Sequence, residues 1–321
     1  MREGGSSTEP IFRWMGGILR PTPCANESGH VNPSNDAATH AGTFDVPHDP
    51  IARGGSPWLK DKVALVAGGG LSGPEGGVGF AIAWLAAREG AAVAILDRDS
   101  EAADRAVRLL HEAGARAERF VLDMTDDHAV AAAVEAVVER FGGIDVVADS
   151  IGGLGLEPTL ESSVEQWERA FALNLTQAWS LLRHAHRHVR AGGAIVTISS
   201  SAAQATGPSL PYSIAKGALE KMTTGLAATL APRGIRANVV RVGMIWGAFA
   251  ARGMSAAQRE QRRRAVALGT EGTVWDVAAA AVFLLTDQAR WISGQTLAVD
   301  GGGFAPRNAG QAGAATEPSK S

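Results

Sequence analysis

Seven short runs built almost entirely of Val, Ile, Leu and Ala punctuate this chain, and between them apolar residues recur at helical spacing. The runs are KVALVA (62–67), AVAILD (92–97), RFVLD (119–123), IDVVAD (144–149), AIVTIS (194–199), RANVVRV (236–242) and QTLAVD (295–300). Strands that read as nearly unbroken apolar runs are buried on both faces, which requires a parallel sheet covered by helices on each side. The intervals supply those helices, for example Ala81, Ala83, Trp84, Ala87 and Arg88, or Val130, Val134, Val137 and Val138. Seven strand–helix alternations predict an α/β fold: a Rossmann-type doubly wound parallel sheet in a single domain. A TIM barrel would need an eighth unit and gives no reason for the glycines that follow the first run.

The pattern occupies residues 58–304. Residues 1–57 are rich in Gly, Pro, Ser, Thr, Asn and His and sustain no apolar period, so they read as a disordered extension. Residues 305–321 read as a flexible tail. The 30 basic and 33 acidic side chains leave a net charge of −3, which argues against a nucleic-acid binder. One cysteine, Cys24, excludes an intramolecular disulfide and a cysteine-held metal cluster, and it suits a reducing, cytoplasmic compartment. No run approaches the roughly 18 apolar residues of a membrane helix, so no membrane partner is expected.

After the first run comes Gly68-Gly69-Gly70-Leu71-Ser72-Gly73-Pro74-Glu75-Gly76-Gly77-Val78-Gly79, and a helix then begins. A glycine-rich turn at that place lets the backbone approach a pyrophosphate, whose charge sits at the helix N-terminus. Asp97 ends the second run, where a carboxylate accepts hydrogen bonds from the adenosine ribose hydroxyls and repels a 2′-phosphate. With Glu75 in the loop and no Lys or Arg there, NAD is expected rather than NADP, although Arg98 beside Asp97 could pair with a phosphate. Asp123, with Met124 next to it, ends the third run, where it would meet the adenine edge or cap the following helix.

Tyr212 is the one tyrosine of the chain, and Lys216 follows it one helical turn later on the same face. A phenol of reference pKa ~10 must shift by roughly 3 units, about 4 kcal/mol, to act as a base near neutrality. One ammonium at about 4 Å supplies ~4 kcal/mol at an effective dielectric near 20. Tyr212 is therefore the acid/base candidate, activated by Lys216. A serine from the cluster Ser199-Ser200-Ser201 would hold the substrate oxygen beside the phenol. Pro211 is tolerable just before the tyrosine if Ser209 caps the helix.

These motifs, in this order, resemble the short-chain dehydrogenase/reductase family over 58–304. The family's Thr-Gly-x3-Gly-x-Gly appears as Ala67-Gly68 … Gly77-Val78-Gly79 with five extra residues, similar to a branch with an extended glycine loop. Its Asn-Asn-Ala-Gly is matched by Asp149-Ser150-Ile151-Gly152, its Tyr-x3-Lys by Tyr212 and Lys216, and its later Pro-Gly by Val242-Gly243. Ser293-Gly-Gln-Thr-Leu-Ala-Val-Asp300-Gly301-Gly302 resembles its closing strand. The resemblance implies a secondary alcohol or ketone as substrate, with NAD(H) held by Gly68, Gly77, Gly79, Asp97, Asp123, Met124, Gly152, Tyr212, Lys216 and Gly243. It implies that Asn174 shapes its helix and holds a water linking Lys216 to solvent. Family spacing to the tyrosine selects Ser199 as the substrate-binding serine, whereas strand register selects Ser200, the choice we favour.

Two departures stand out. Asp149 replaces the first family asparagine, and an unpaired charge there would shift its pKa upward. Gly247 stands where many members carry a threonine that binds the nicotinamide carboxamide. The runner-up from another class is a catalytically impaired NAD(H)-binding sensor or scaffold; enoyl reductases are disfavoured because such relatives space Tyr and Lys more widely. Relatives assemble through the helices here at about 165–188 and 210–231, which implies a homo-oligomer, tetramer or dimer. His184, His186 and His188 read as cations at a helix C-terminus rather than metal ligands, and no metal is expected. Arg259 and Arg262–Arg264 read as a solvated helix face, or as a site for an acidic substrate group. Trp246, Phe249 and Met254 suggest an apolar ligand without naming one.

Overall fold

A computed structural model describes residues 57–303, apart from 75, 154–159, 206–208, 249 and 251–253. The two expected tails therefore lie outside the described residues, Pro57 excepted, as do Glu75 and Phe249. The strands are β1 (Val63–Ala67), β2 (Ala92–Asp97), β3 (Ala117–Val121), β4 (Ile144–Asp149), β5 (Val189–Ser200), β6 (Arg236–Val242), β7 (Ile245–Trp246), β8 (Gly272–Thr273) and β9 (Thr296–Val299). Seven of them form one parallel sheet in the order β3-β2-β1-β4-β5-β6-β9, and β7 pairs with β8 alone. The sheet is open, so the doubly wound expectation holds and the barrel does not.

The helices are α1 (Val78–Arg88), α2 (Ser100–Glu112), α3 (Asp127–Phe141), α4 (Val164–Phe171), α5 (Gln177–Ala185), α6 (Leu210–Leu230), α7 (Ala256–Ala265) and α8 (Val274–Leu285). Strand alternation divides their packing into two layers. Ala64, Val66, Val93, Ile95 and Val146 face α1, α2 and α8, while Val63, Leu65, Ala94, Leu96 and Val147 face α3, α5 and α6. The chain reverses its winding between β1 and β4, and the crevice at their C-terminal ends is where such a sheet binds ligands.

Local chemistry sets the ends of these elements. Asp99 and Asp126 cap α2 and α3 through their carboxylates, so the cap that Asp123 might have made belongs to Asp126. Asp123 instead accepts from the backbone and hydroxyl of Thr125. Ser209 stands at the N-cap of α6, but its hydroxyl makes no cap bond and lies buried without a partner. Only its carbonyl enters the helix, accepting from Ser213. Pro211 fits the first turn as expected. Two strands depart from their apolar runs by more than one residue: β3 starts and ends two residues early, so Asp123 falls beyond its end, and β5 reaches back through Arg190-Ala-Gly-Gly193 to Val189.

Candidate active site

The glycine turn leaves β1 at Gly68, whose φ of +75° is open to glycine at little cost. A Cβ at Gly79 would collide with the Gly68 carbonyl oxygen, so the start of α1 presses directly on the turn. Gly77 is the N-cap of α1 and supplies no side-chain acceptor, which leaves the first helical N–H groups directed at the crevice. An anionic group suits that position, and the residues present fit a pyrophosphate. Asp97 closes the rim of the turn: its Oδ2 accepts from Gly70 N–H at 2.9 Å and its Oδ1 from Asp99 N–H at 3.1 Å. Asp123 stands at the neighbouring strand end, with its carboxyl held below the usual range by the two Thr125 bonds and, more weakly, by Arg98. Met124 is buried under it in the α3 layer. On the far side Ala248 N–H donates to the Gly76 carbonyl at 2.9 Å, bringing the segment after β6 onto the glycine loop. Gly243 packs against Asp300 at the end of β9, and a Cβ at Gly247 would strike Val274.

The second half of the site is built by α6. Its buried face carries Tyr212, Ala215, Lys216, Leu219 and Thr223, so helical spacing turns Tyr212 and Lys216 inward together. Ser200 ends β5; its Oγ accepts from Ala202 N–H at 3.2 Å and lies beside the Tyr212 phenol. Ser199 turns the other way. Its Oγ donates to Glu220 at 2.8 Å, and Glu220 in turn holds Arg241. Lys216 Nζ donates to the carbonyls of Ile151 (3.1 Å) and Ile198 (3.0 Å). Gly152 lies against it: a Cβ there would stand 2.9 Å from Nζ and 3.0 Å from Asn174 Oδ1. Asn174 sits in a π-helical segment, Ala172–Thr176, between α4 and α5. It accepts from Gly153 N–H and donates to the Gly153 and Ala170 carbonyls, all near 3.0 Å.

One electrostatic expectation is corrected. Lys216 does not lower the Tyr212 pKa in the protein alone: burial pushes the phenol up, and the Ser200 hydrogen bond only partly offsets this. The lysine is itself drawn down by burial to about 8, with Asp149 opposing. Asp149 is buried, and burial raises its pKa despite Lys216, Ile151 N–H and Gln177. Gln177 and the carbonyls of Ile151 and Ile198 were missed in the sequence, because backbone acceptors leave no trace in residue type. Ser150 also joins the site, donating to the Ala67 carbonyl at 2.8 Å.

The remaining polar signals find ordinary partners. His184 meets Asp127 and His188 meets Glu135, both at 3.1 Å. Arg263 and Arg264 share Glu260, while Arg259 holds Glu271 and lies 3.8 Å over the Trp246 ring. Arg262 donates to the Ile245 carbonyl.

A family model described as Enoyl-(Acyl carrier protein) reductase matches residues 73–303. The chain is 33% identical to 2-(S)-hydroxypropyl-CoM dehydrogenase 3 of Xanthobacter autotrophicus, over 76% of this chain and 97% of that one. It is 31% identical to the cyclopentanol dehydrogenase of a Comamonas species, again over 76% and 97%. A short-chain dehydrogenase of Burkholderia cenocepacia, solved in complex with NADP, superposes with a TM-score of 0.71 at 32% identity, covering 77% of this chain and 100% of that one.

Proposed function

The chain belongs to the short-chain dehydrogenase/reductase family, NAD(P)-dependent oxidoreductases acting on CH–OH groups, and from that premise we propose that it interconverts a secondary alcohol and its ketone with NAD(H). The observation that carries this reading is that the end of β5 meets α6, where Ser200 lies beside Tyr212 and the Ile198 carbonyl accepts from Lys216 Nζ. The nicotinamide, when bound, supplies or receives the hydride. Tyr212 Oη takes the proton from the alcohol, or returns it to the ketone oxygen. Ser200 Oγ, held by Ala202 N–H, donates to the same oxygen as charge develops on it. Lys216 holds a positive charge behind the phenol, and Asn174 fixes Gly153 so that the wall beside Lys216 stays closed. Ser199, engaged by Glu220, is assigned to the fold rather than to the substrate.

NAD rather than NADP rests on Asp97. Its carboxylate is pinned at the turn, where it cannot swing away from a 2′-phosphate. The Burkholderia relative carries NADP, and Arg98 stands close enough to act on Asp123, so direct comparison of the two cofactors decides the point. The substrate class is supported by the secondary alcohols in the relatives' names, and by a Tyr-to-Lys spacing that suits alcohols better than enoyl groups. A homo-oligomer belongs to the same reading, supported by the exposed Trp167, Trp179 and Ile214 on α4–α6. Among the described residues no helix is long and apolar enough to cross a membrane. We place the protein in the cytoplasm on its single cysteine. Tyr212→Phe tests the chemistry: turnover of every accepted alcohol should fall by at least about 10²-fold, with NADH binding retained. Near-normal turnover would sink the mechanism.

A further inference from the structure

Asp149 ends β4 in register between Ala67 of β1 and Thr197 of β5, and it is 1% exposed. A buried carboxylate needs partners, and this one has two. Its Oδ1 accepts from Ile151 N–H at 3.1 Å, and its Oδ2 from Gln177 Nε2 at 3.0 Å. The carbonyl of the same Ile151 accepts from Lys216 Nζ at 3.1 Å. One residue's backbone is therefore gripped by the anion at its N–H and by the cation at its C=O. Gln177 is the side-chain partner of the two. It gives its NH2 to Oδ2 and leaves its own Oε1 buried without a partner. Burial raises the Asp149 pKa, and Lys216 is the leading influence that opposes it.

Among the described residues, the other groups around Lys216 do not supply a counter-charge. Asn174 and Gln177 come from the π-helical segment and α5, Ser199 and Ser200 from β5, and all are neutral. On α6 itself, Tyr212 is a phenol and Glu220 is committed to Ser199 and Arg241. The two bonds that Nζ makes are to uncharged carbonyls.

We propose that Asp149 is a positioning residue of the hydride-transfer site: its carboxylate, acting across the Ile151 backbone, keeps Lys216 an ammonium and so extends turnover to higher pH. The catalytic half of this rests on the reading of Tyr212 and Lys216 above; the charge coupling does not. Burial alone would take Lys216 below the value near 8 that it holds with Asp149 beside it. Removing the charge must therefore move Lys216 down.

Asp149→Asn is the variant of choice. It keeps an acceptor for Ile151 N–H and lets Gln177 turn its amide, giving Oε1 a donor. The chain has five lysines, so ε-13C-lysine labelling of the full-length protein yields few resonances, and Lys216→Arg assigns the one that titrates near 8. In Asp149→Asn that resonance should titrate about one unit lower, and the alkaline limb of kcat/KM should move down with it. An unmoved or higher lysine titration would overturn the proposal. A lowered titration with an unmoved alkaline limb would overturn the catalytic role. A lowered titration in a protein that turns over no alcohol with either cofactor would leave the coupling standing and remove the dehydrogenase reading instead. Lys216→Met offers a route independent of that variant. Asp149 then lacks its cation, so the variant's stability relative to wild type should fall as pH rises from 4 to 8, and a pH-independent difference would count against the coupling.

Discussion

At the scale of single residues, neighbours on a strand face opposite ways, and this separates two serines that the sequence left in competition. Ser199 pairs in register with Arg241, and both side chains meet Glu220 on α6. Ser200 faces Tyr212. Ser200→Ala should lower kcat by about 10²–10³-fold, the usual cost of losing one donor to a developing oxyanion, with cofactor affinity unchanged. Ser199→Ala should keep kcat within a few-fold and cost about 1 kcal/mol of stability, as one hydrogen bond to Glu220 is lost. Steady-state kinetics and urea denaturation on the two variants check both halves, and a reversed pattern would exchange the assignments. Tyr212 and Lys216 were legible because helical spacing alone puts them on one face. The sign of the effect on Tyr212 was not. It depends on burial and on where Nζ spends its donors, which residue types do not reveal.

At the scale of elements, apolar runs located strands well where both faces are buried. β2, β4 and β6 start and stop where their runs do. β3 is an edge strand whose residues after the buried Ala117 alternate between partly covered and exposed, so its Ala-Glu-Arg start carries no run. The extension of β5 to Val189 was equally silent, since Gly192 and Gly193 are poor strand formers and residues 190–193 lie in the irregular stretch between the Ile144–Val189 and Val146–Ala194 pairs. The π-helical turn at Asn174 also leaves no periodic signal, although such bulges concentrate at functional sites. Between helices, α3 and α5 are joined by Asp127, which accepts from Ser180 at 2.6 Å, from His184 at 3.1 Å, and from Arg183. These partners hold its pKa at about 2, against 3.8 for a free carboxyl. A carboxylate depressed in the folded state stabilises above its unfolded pKa and loses that contribution as pH falls through its folded one. Asp127→Asn should therefore melt below wild type at pH 7, with the gap closing between pH 4 and pH 2. A gap that stays constant over that range would mean the hydrogen bonds matter and the charge does not.

At the scale of the whole molecule, the cofactor crevice is made by elements far apart in sequence. β1 and β4 open it, Asp97 and Asp123 border it on one side, and the segment after β6 closes on the glycine loop through Ala248 and Gly76. A ligand that bridges these parts binds the folded state and not the unfolded chain, so it must raise the melting temperature. At 100 times its Kd the gain is about 2.7 kcal/mol, and for a domain of this size that corresponds to roughly 5–10 °C. Differential scanning fluorimetry with equal concentrations of NADH and NADPH then reads cofactor choice from the entire fold. A larger shift with NADH is expected, because a 2′-phosphate would enter the field of Asp97. Asp97→Ala should narrow the difference by weakening NADH and relieving NADPH together. If NADPH gives the larger shift in wild type, Arg98 outweighs Asp97 and the cofactor is NADP. Shifts from neither would mean that the extended glycine loop does not take a dinucleotide, and the sensor or scaffold reading would fall with the enzyme.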